Sequence, residues 1–204
     1  MLTKNMILQA SKQKDIRSVV ELTITDAKIV EFEELEDLVK LKDLDLNNNE
    51  IKDITPLLSI KELRTLNLSS NLISQFPLLT FAHLQELNLS YNSLTTTKGF
   101  SRLKKLTYLN LNSNNIEKIE DLGGLTELRR LDLSSNKITK IESLSTLLRL
   151  EELSLNYLPL VKPITAKDFA KVTALEKLNI HHCGIKDATF LTAFPNLLVT
   201  PLLN

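Results

Sequence analysis

Leu106-Thr107-Tyr108-Leu109-Asn110-Leu111-Asn112-Ser113-Asn114-Asn115-Ile116 is the stretch that decides how the rest of the chain folds. From Tyr108 to Leu111 polar and apolar residues alternate, the period of a β-strand with one dry face. Leu109 and Leu111 then point inward, and Tyr108 and Asn110 outward. Written as L-x-x-L-x-L-x-x-N-x-I, the same pattern starts at Leu41, Leu63, Leu84, Leu106 and Leu128. Copies from Leu150 and Leu175 carry Leu158 and Cys183 at the Asn position. A degenerate copy opens at Val19 and a partial one at Phe194, so successive starts lie 22, 22, 21, 22, 22, 22, 25 and 19 residues apart.

A period held this closely predicts a solenoid, because one copy cannot bury its apolar face alone. Each copy supplies one short strand, and the strands stack in parallel at a spacing of about 4.8 Å. The expected fold is an α/β, curved parallel sheet on the concave face with 3₁₀ turns and short helices on the convex face. Apolar residues three apart, as in Ile138, Ile141, Leu144 and Leu147, suit those turns. The column Asn49, Asn71, Asn92, Asn114 and Asn136 is expected to turn inward and satisfy corner backbone. Cys183 takes the same place as a buried structural thiol, and a distorted corner is expected at Leu158.

One domain is expected over 1–204: a helical cap over 1–18, eight repeats over 19–193, and a partial last repeat with cap over 194–204. Thr3 is placed to cap a helix running to about Lys14, with Met6, Ile7 and Ala10 on the first coil. Thr165 similarly predicts a helix N-cap before Ala166-Lys167-Asp168-Phe169-Ala170-Lys171-Val172, which would absorb the three extra residues of its copy. At the far end, Pro201 would blunt the last sheet edge.

Composition narrows the function. Among 204 residues, 25 basic and 25 acidic side chains cancel, which argues against direct nucleic-acid or membrane-surface binding. Leucine accounts for 44 residues, yet no apolar run reaches the ~18 needed to span a membrane. The start, broken by Lys4, Asn5 and Gln9, lacks the continuous apolar centre of a secretory signal. The single cysteine permits no internal disulfide and suits a reducing compartment. Cytoplasmic placement follows as an expectation.

These residues resemble the leucine-rich repeat superfamily. The 22-residue period, with Ile116, Ile119, Leu122 and Leu125 following the strand, is similar to the repeats of protein phosphatase 1 regulatory subunits. The opening, Leu2-Thr3-Lys4 with Met6-Ile7-Leu8 and Asp15-Ile16-Arg17-Ser18-Val19, resembles leucine-rich repeat proteins of cilia and basal bodies and the spliceosomal leucine-rich repeat subunit. Phe194-Pro195-Asn196-Leu197 resembles the entry to the family's terminal cap. The resemblance implies a non-enzymatic module that binds another protein through its concave face. Its named versions are a phosphatase regulator, or a scaffold with cytoskeletal, ciliary or nuclear placement.

No nucleophile, metal or phosphate-binding motif contradicts this. His181-His182-Cys183 places neighbours on alternate faces, so no metal site and no cofactor are expected. What remains is the outward strand surface. Its partner-binding candidates are Asp43, Asp45, Asn67, Glu86, Asn88, Tyr108, Asn110, Arg130, Asp132, Glu152, Lys177 and His181. Six acids (Glu21, Asp43, Asp45, Glu86, Asp132, Glu152) face two bases there (Arg130, Lys177). An acidic groove attracts a basic segment of a partner, with Tyr108 as aromatic anchor. The chain is expected to be a monomer whose C-terminal edge could dimerise. The competing reading is a secreted, bacterial-type repeat adhesin. Against it stand Asn67-Leu68-Ser69 and Asn88-Leu89-Ser90, glycosylation acceptors on the groove in a eukaryotic secretory route.

Overall fold

The computed structural model describes all residues except Glu34, Leu79, Thr80, Pro163, Ala170, 186–188 and 199–204, and leaves the side chain of Ala193 aside. Eight three-residue strands form one parallel sheet in chain order: β1 (Glu21–Thr23), β2 (Asp43–Asp45), β3 (Thr65–Asn67), β4 (Glu86–Asn88), β5 (Tyr108–Asn110), β6 (Arg130–Asp132), β7 (Glu152–Ser154) and β8 (Lys177–Asn179). The register runs without a slip, so each central leucine sits on the next: Leu22, Leu44, Leu66, Leu87, Leu109, Leu131, Leu153, Leu178. All eight are buried, as are the second strand leucines such as Leu46, Leu68, Leu89 and Leu111. The alternation of the sequence is thus the division between core and groove. The chain folds as a parallel β-solenoid with few helices.

Each coil closes on a corner where one residue adopts the left-handed conformation. Asn48, Ser70, Tyr91, Ser113, Ser135, Tyr157 and His182 all have φ between 54° and 57°. The corner backbone left unpaired is met by the inward Asn column. Asn114 Nδ2 donates to the carbonyls of Leu89 (2.9 Å) and Leu111 (3.0 Å), and its Oδ1 accepts from Leu94 N–H at 3.0 Å. Asn49, Asn71, Asn92 and Asn136 make equivalent bonds, each spanning two coils. Cys183 does part of this work, its thiol donating to the Leu155 carbonyl at 2.8 Å. Leu158 fills its place with carbon, 1% exposed, and Tyr157 still adopts the left-handed turn. The left-handed residue is kept, but the chain beyond it departs from the other coils, as expected: Pro159 has no N–H for the bond this position makes elsewhere, and Leu160 N–H turns back onto the Leu158 carbonyl at 2.8 Å.

The outer side consists of turns with 3₁₀ pieces at Thr55–Ser59, Phe100–Arg102, Ala166–Phe169 and Thr189–Ala193. The helix expected after Thr165 is one such turn. Thr165 holds its N-cap position, and Asp168 Oδ2 reaches back to accept both the N–H of Thr165 (2.7 Å) and its hydroxyl (2.8 Å).

At the N-terminus α1 spans Lys4–Ser11, capped by Thr3 Oγ1, which accepts from Met6 N–H at 3.3 Å. It stops where Lys12 turns left-handed (φ 56°), short of Lys14. Ile7 is buried and Met6 and Leu8 pack on the core, but Ala10 faces solvent. Leu2 completes the cap, with N–H to Glu31 O at 2.6 Å and its carbonyl accepting from Glu33 at 3.0 Å.

At the other end the core changes from leucine to phenylalanine. Phe169 packs against Phe190 and edge-on to Phe194 at 5.1 Å. The residue before each strand donates its N–H to the same position of the coil before it: Glu176 to Glu151, then Leu198 to Glu176 at 2.9 Å. Leu197 therefore opens the last copy, 22 residues after Leu175, and Phe194 occupies the preceding turn. That corrects the register read from Phe194. Pro201 lies outside the described residues.

Candidate functional site

The strands lay their outward residues in columns. The first reads Glu21, Asp43, Thr65, Glu86, Tyr108, Arg130, Glu152, Lys177, and the second Thr23, Asp45, Asn67, Asn88, Asn110, Asp132, Ser154, Asn179. All twelve candidate residues named above lie outside the core; His181, half-buried, follows β8. The structure therefore brings them onto one face.

Their roles divide. In the second column Asp45, Asn67, Asn88, Asn110 and Asp132 each turn a side-chain oxygen onto the backbone N–H two residues on, at 2.9, 3.1, 3.0, 2.9 and 2.9 Å. These side-chain turns pin the chain as it leaves the strand. One oxygen of each residue is thereby engaged, and among the described residues the NH₂ groups of Asn67, Asn88 and Asn110 have no protein acceptor. Sequence reasoning missed this second ladder, although five coils in a row with Asn or Asp at one strand position carried the signal. Ser90 and Ser134, which alternation places outward, are buried at 5% and 3%. Ser90 leans onto Asn88 Oδ1 (2.8 Å), and the Ser134 hydroxyl accepts from Asn156 N–H (3.1 Å).

The first column carries the charge. Over β1–β4 the two columns hold Glu21, Asp43, Asp45 and Glu86 with no base. Over β5–β8, Arg130 and Lys177 balance Asp132 and Glu152. Lys177 Nζ reaches Glu152 Oε1 at 2.6 Å, and that hydrogen bond, with the carboxylate's charge, holds the ammonium pKa above its ordinary value. The Arg130 guanidinium lies over the Tyr108 ring at 4.9 Å, a cation–π contact at the middle of the sheet. Behind this face, burial pushes the Cys183 thiol up, with weaker opposition from backbone hydrogen bonds at Leu158 and Tyr157. Among the described residues no three His, Cys, Asp or Glu side chains converge to hold a metal. Among the described residues no helix is long and apolar enough to cross a membrane.

Family models fall on this architecture coil by coil. The leucine rich repeat model matches residues 61–116 and 82–138, and the two-copy Leucine Rich repeats model matches 39–80 and 126–168. The chain belongs to the leucine-rich repeat family. No curated protein sequence matches it. Among solved structures it is similar to internalin C2 of Listeria monocytogenes, with TM-score 0.88 and 22% identity over 98% of this chain and 91% of that one. An internalin (inlF) of the same organism matches with TM-score 0.83 and 26% identity over 93% of this chain and 56% of that one. The functional domain of InlJ, which includes a cysteine ladder, matches with TM-score 0.64 and 20% identity over 92% and 50%. This chain has one cysteine, Cys183, and so no such ladder.

Proposed function

We propose that the chain is a non-enzymatic interaction module that binds a partner protein through the concave sheet face. Leucine-rich repeat folds generally serve as protein-interaction modules, and no catalytic family matches this one. The observation that carries the reading is the acidic half of that face, Glu21, Asp43, Asp45 and Glu86, none of them in an ion pair among the described residues, beside the half-buried Tyr108 ring with the exposed Arg130 over it. A basic segment gains from such a surface, and an aromatic with a cation stacked on it is the composition of interface anchors. We place the module in the cytoplasm as a monomer, as a phosphatase regulator or as a scaffold of cilium or basal body. The 22-residue repeat and the lone, buried Cys183 support this placement. The structural likeness to the internalins supports a second reading, a bacterial-type repeat protein that uses the same face.

Affinity capture with mass spectrometry tests the module. Asp43→Lys with Glu86→Lys is the informative variant, since neither carboxylate holds backbone, whereas Asp45 does. The double variant is expected to melt like the parent and to lose the partner, while Glu117→Lys, outside the sheet face, keeps it. Capture of the same proteins by both variants would refute the assignment.

A further inference from the structure

The two halves of the sheet face differ in what they ask of an occupant. On β1–β4 the groove offers carboxylates alone as charged groups. On β6 it offers Arg130, between Tyr108 and Glu152 in register and two residues before Asp132. Glu152 pairs with Lys177, and one Asp132 oxygen accepts the N–H of Ser134. Among the described residues no carboxylate pairs with Arg130; its ring contact with Tyr108 orients the guanidinium and leaves its edge donors open. Beside it on β5, Asn110 has its oxygen on Asn112 N–H, so its NH₂ also faces the groove as a donor. The cation and the amide thus ask for an acceptor, and an anionic one gains most.

Resting on the concave-face reading above, we propose that the partner segment changes sign along its length. Lysine or arginine side chains lie over Asp43 and Asp45, and a carboxylate docks on Arg130 beside Asn110. From β2 to β6 is four strand spacings, about 19 Å at ~4.8 Å each. An extended chain covers that in about six residues at ~3.3 Å each. The segment lies along the solenoid with its basic part over the N-terminal coils.

Two synthetic peptides separate this from simple attraction of a basic segment. One carries four Lys and Arg residues, about six Gly and Ser residues, then four Asp and Glu residues. The other replaces the acidic block by Asn and Gln. Fluorescence anisotropy with the full chain at low ionic strength reads both. The mixed-sign peptide is expected to bind about tenfold tighter than the basic one. Arg130→Gln is expected to abolish that preference and Arg130→Glu to reverse it. Asp43→Lys weakens both peptides. Equal affinities, or a preference that survives Arg130→Gln, would overturn the sign change and leave the acidic-face reading standing. Binding that is absent for both peptides, or indifferent to Asp43→Lys, would overturn both.

Discussion

The side-chain carbonyl of Asn88 accepts the backbone N–H of Ser90 at 3.0 Å and its hydroxyl at 2.8 Å. Four residues on, Asn92 uses both ends of its amide inside the corner, donating to the Leu68 and Leu89 carbonyls and accepting from Ile73 N–H at 2.9 Å. Two asparagines of one coil thus serve by different chemistry. Asn88 needs only its acceptor; Asn92 needs donor and acceptor, and is buried at 8% exposure.

Asp at these two positions separates the roles. Asn88→Asp keeps the acceptor at the surface and is expected to stay within about 0.5 kcal/mol of the parent. Asn88→Ala gives up the bond at about 1 kcal/mol. Asn92→Asp takes from the Leu68 and Leu89 carbonyls one of the two amide donors each receives, sets a carboxylate oxygen against them and buries a charge, at about 3 kcal/mol or more. Urea unfolding monitored by circular dichroism ranks the three, and equal costs for Asn88→Asp and Asn92→Asp would refute the division.

Gly124 and Gly123 make a second contrast. A Cβ at position 124 would sit 2.0 Å from the Ser101 carbonyl oxygen, fixed backbone of the preceding coil, whereas at 123 it would meet Thr146 Oγ1 at 3.2 Å, an exposed side chain free to turn. Gly124→Ala is expected to push the two coils apart and cost about 3 kcal/mol or more, and Gly123→Ala less than about 1 kcal/mol. Thermal melting of the pair checks this.

Leu131 and Arg130 are consecutive and face opposite ways, at 2% exposure and fully outward. Leu131→Asp puts an unpaired charge between Leu109 and Leu153 and is expected to unfold the stack. Arg130→Ala is expected to change stability by less than about 1 kcal/mol, the size of an exposed cation–π contact. A Leu131→Asp protein that melts like the parent would contradict the division of core and groove.

The Cys183 thiol gives the pH dependence. Burial raises its pKa above the ordinary 9.0, so the folded state holds the proton longer than the unfolded chain does. Its stabilising contribution is complete below pH 9 and declines as pH rises from there toward the folded pKa. Thermal melts from pH 7 upward are expected to fall in the alkaline range, less so for Cys183→Ala. Thiol reagents should label the native protein slowly and the urea-unfolded protein fast.

Much of this was legible in the leucines. Their spacing placed all eight strands and the inward Asn column, because burial of one face and pairing of corner backbone act on every coil alike. What escaped depends on local competition. Ser90 and Ser134 are outward by alternation and are drawn under by their hydrogen bonds. After Thr165 the structure forms a single 3₁₀ turn, Ala166–Phe169, where a capping signal alone predicts a longer helix. Apolar pattern alone starts the last copy at Phe194, whereas the backbone ladder through Leu198 starts it at Leu197. On the concave face, alternation identified which residues face out but not which of their atoms hold the strand ends, so the Asp45-to-Asp132 ladder counted wholly as binding surface.

Site-specific photo-cross-linking tests most directly whether the acidic sheet face is where a partner protein binds. A benzophenone side chain at Thr65, between Asp43 and Glu86 in register, is compared with one at the exposed Glu117, outside the sheet face. A covalent adduct formed in cells from position 65 and absent from position 117 is the predicted result, with Asp43→Lys suppressing it. Adducts from position 117 alone, or from 65 with no response to Asp43→Lys, would contradict the account.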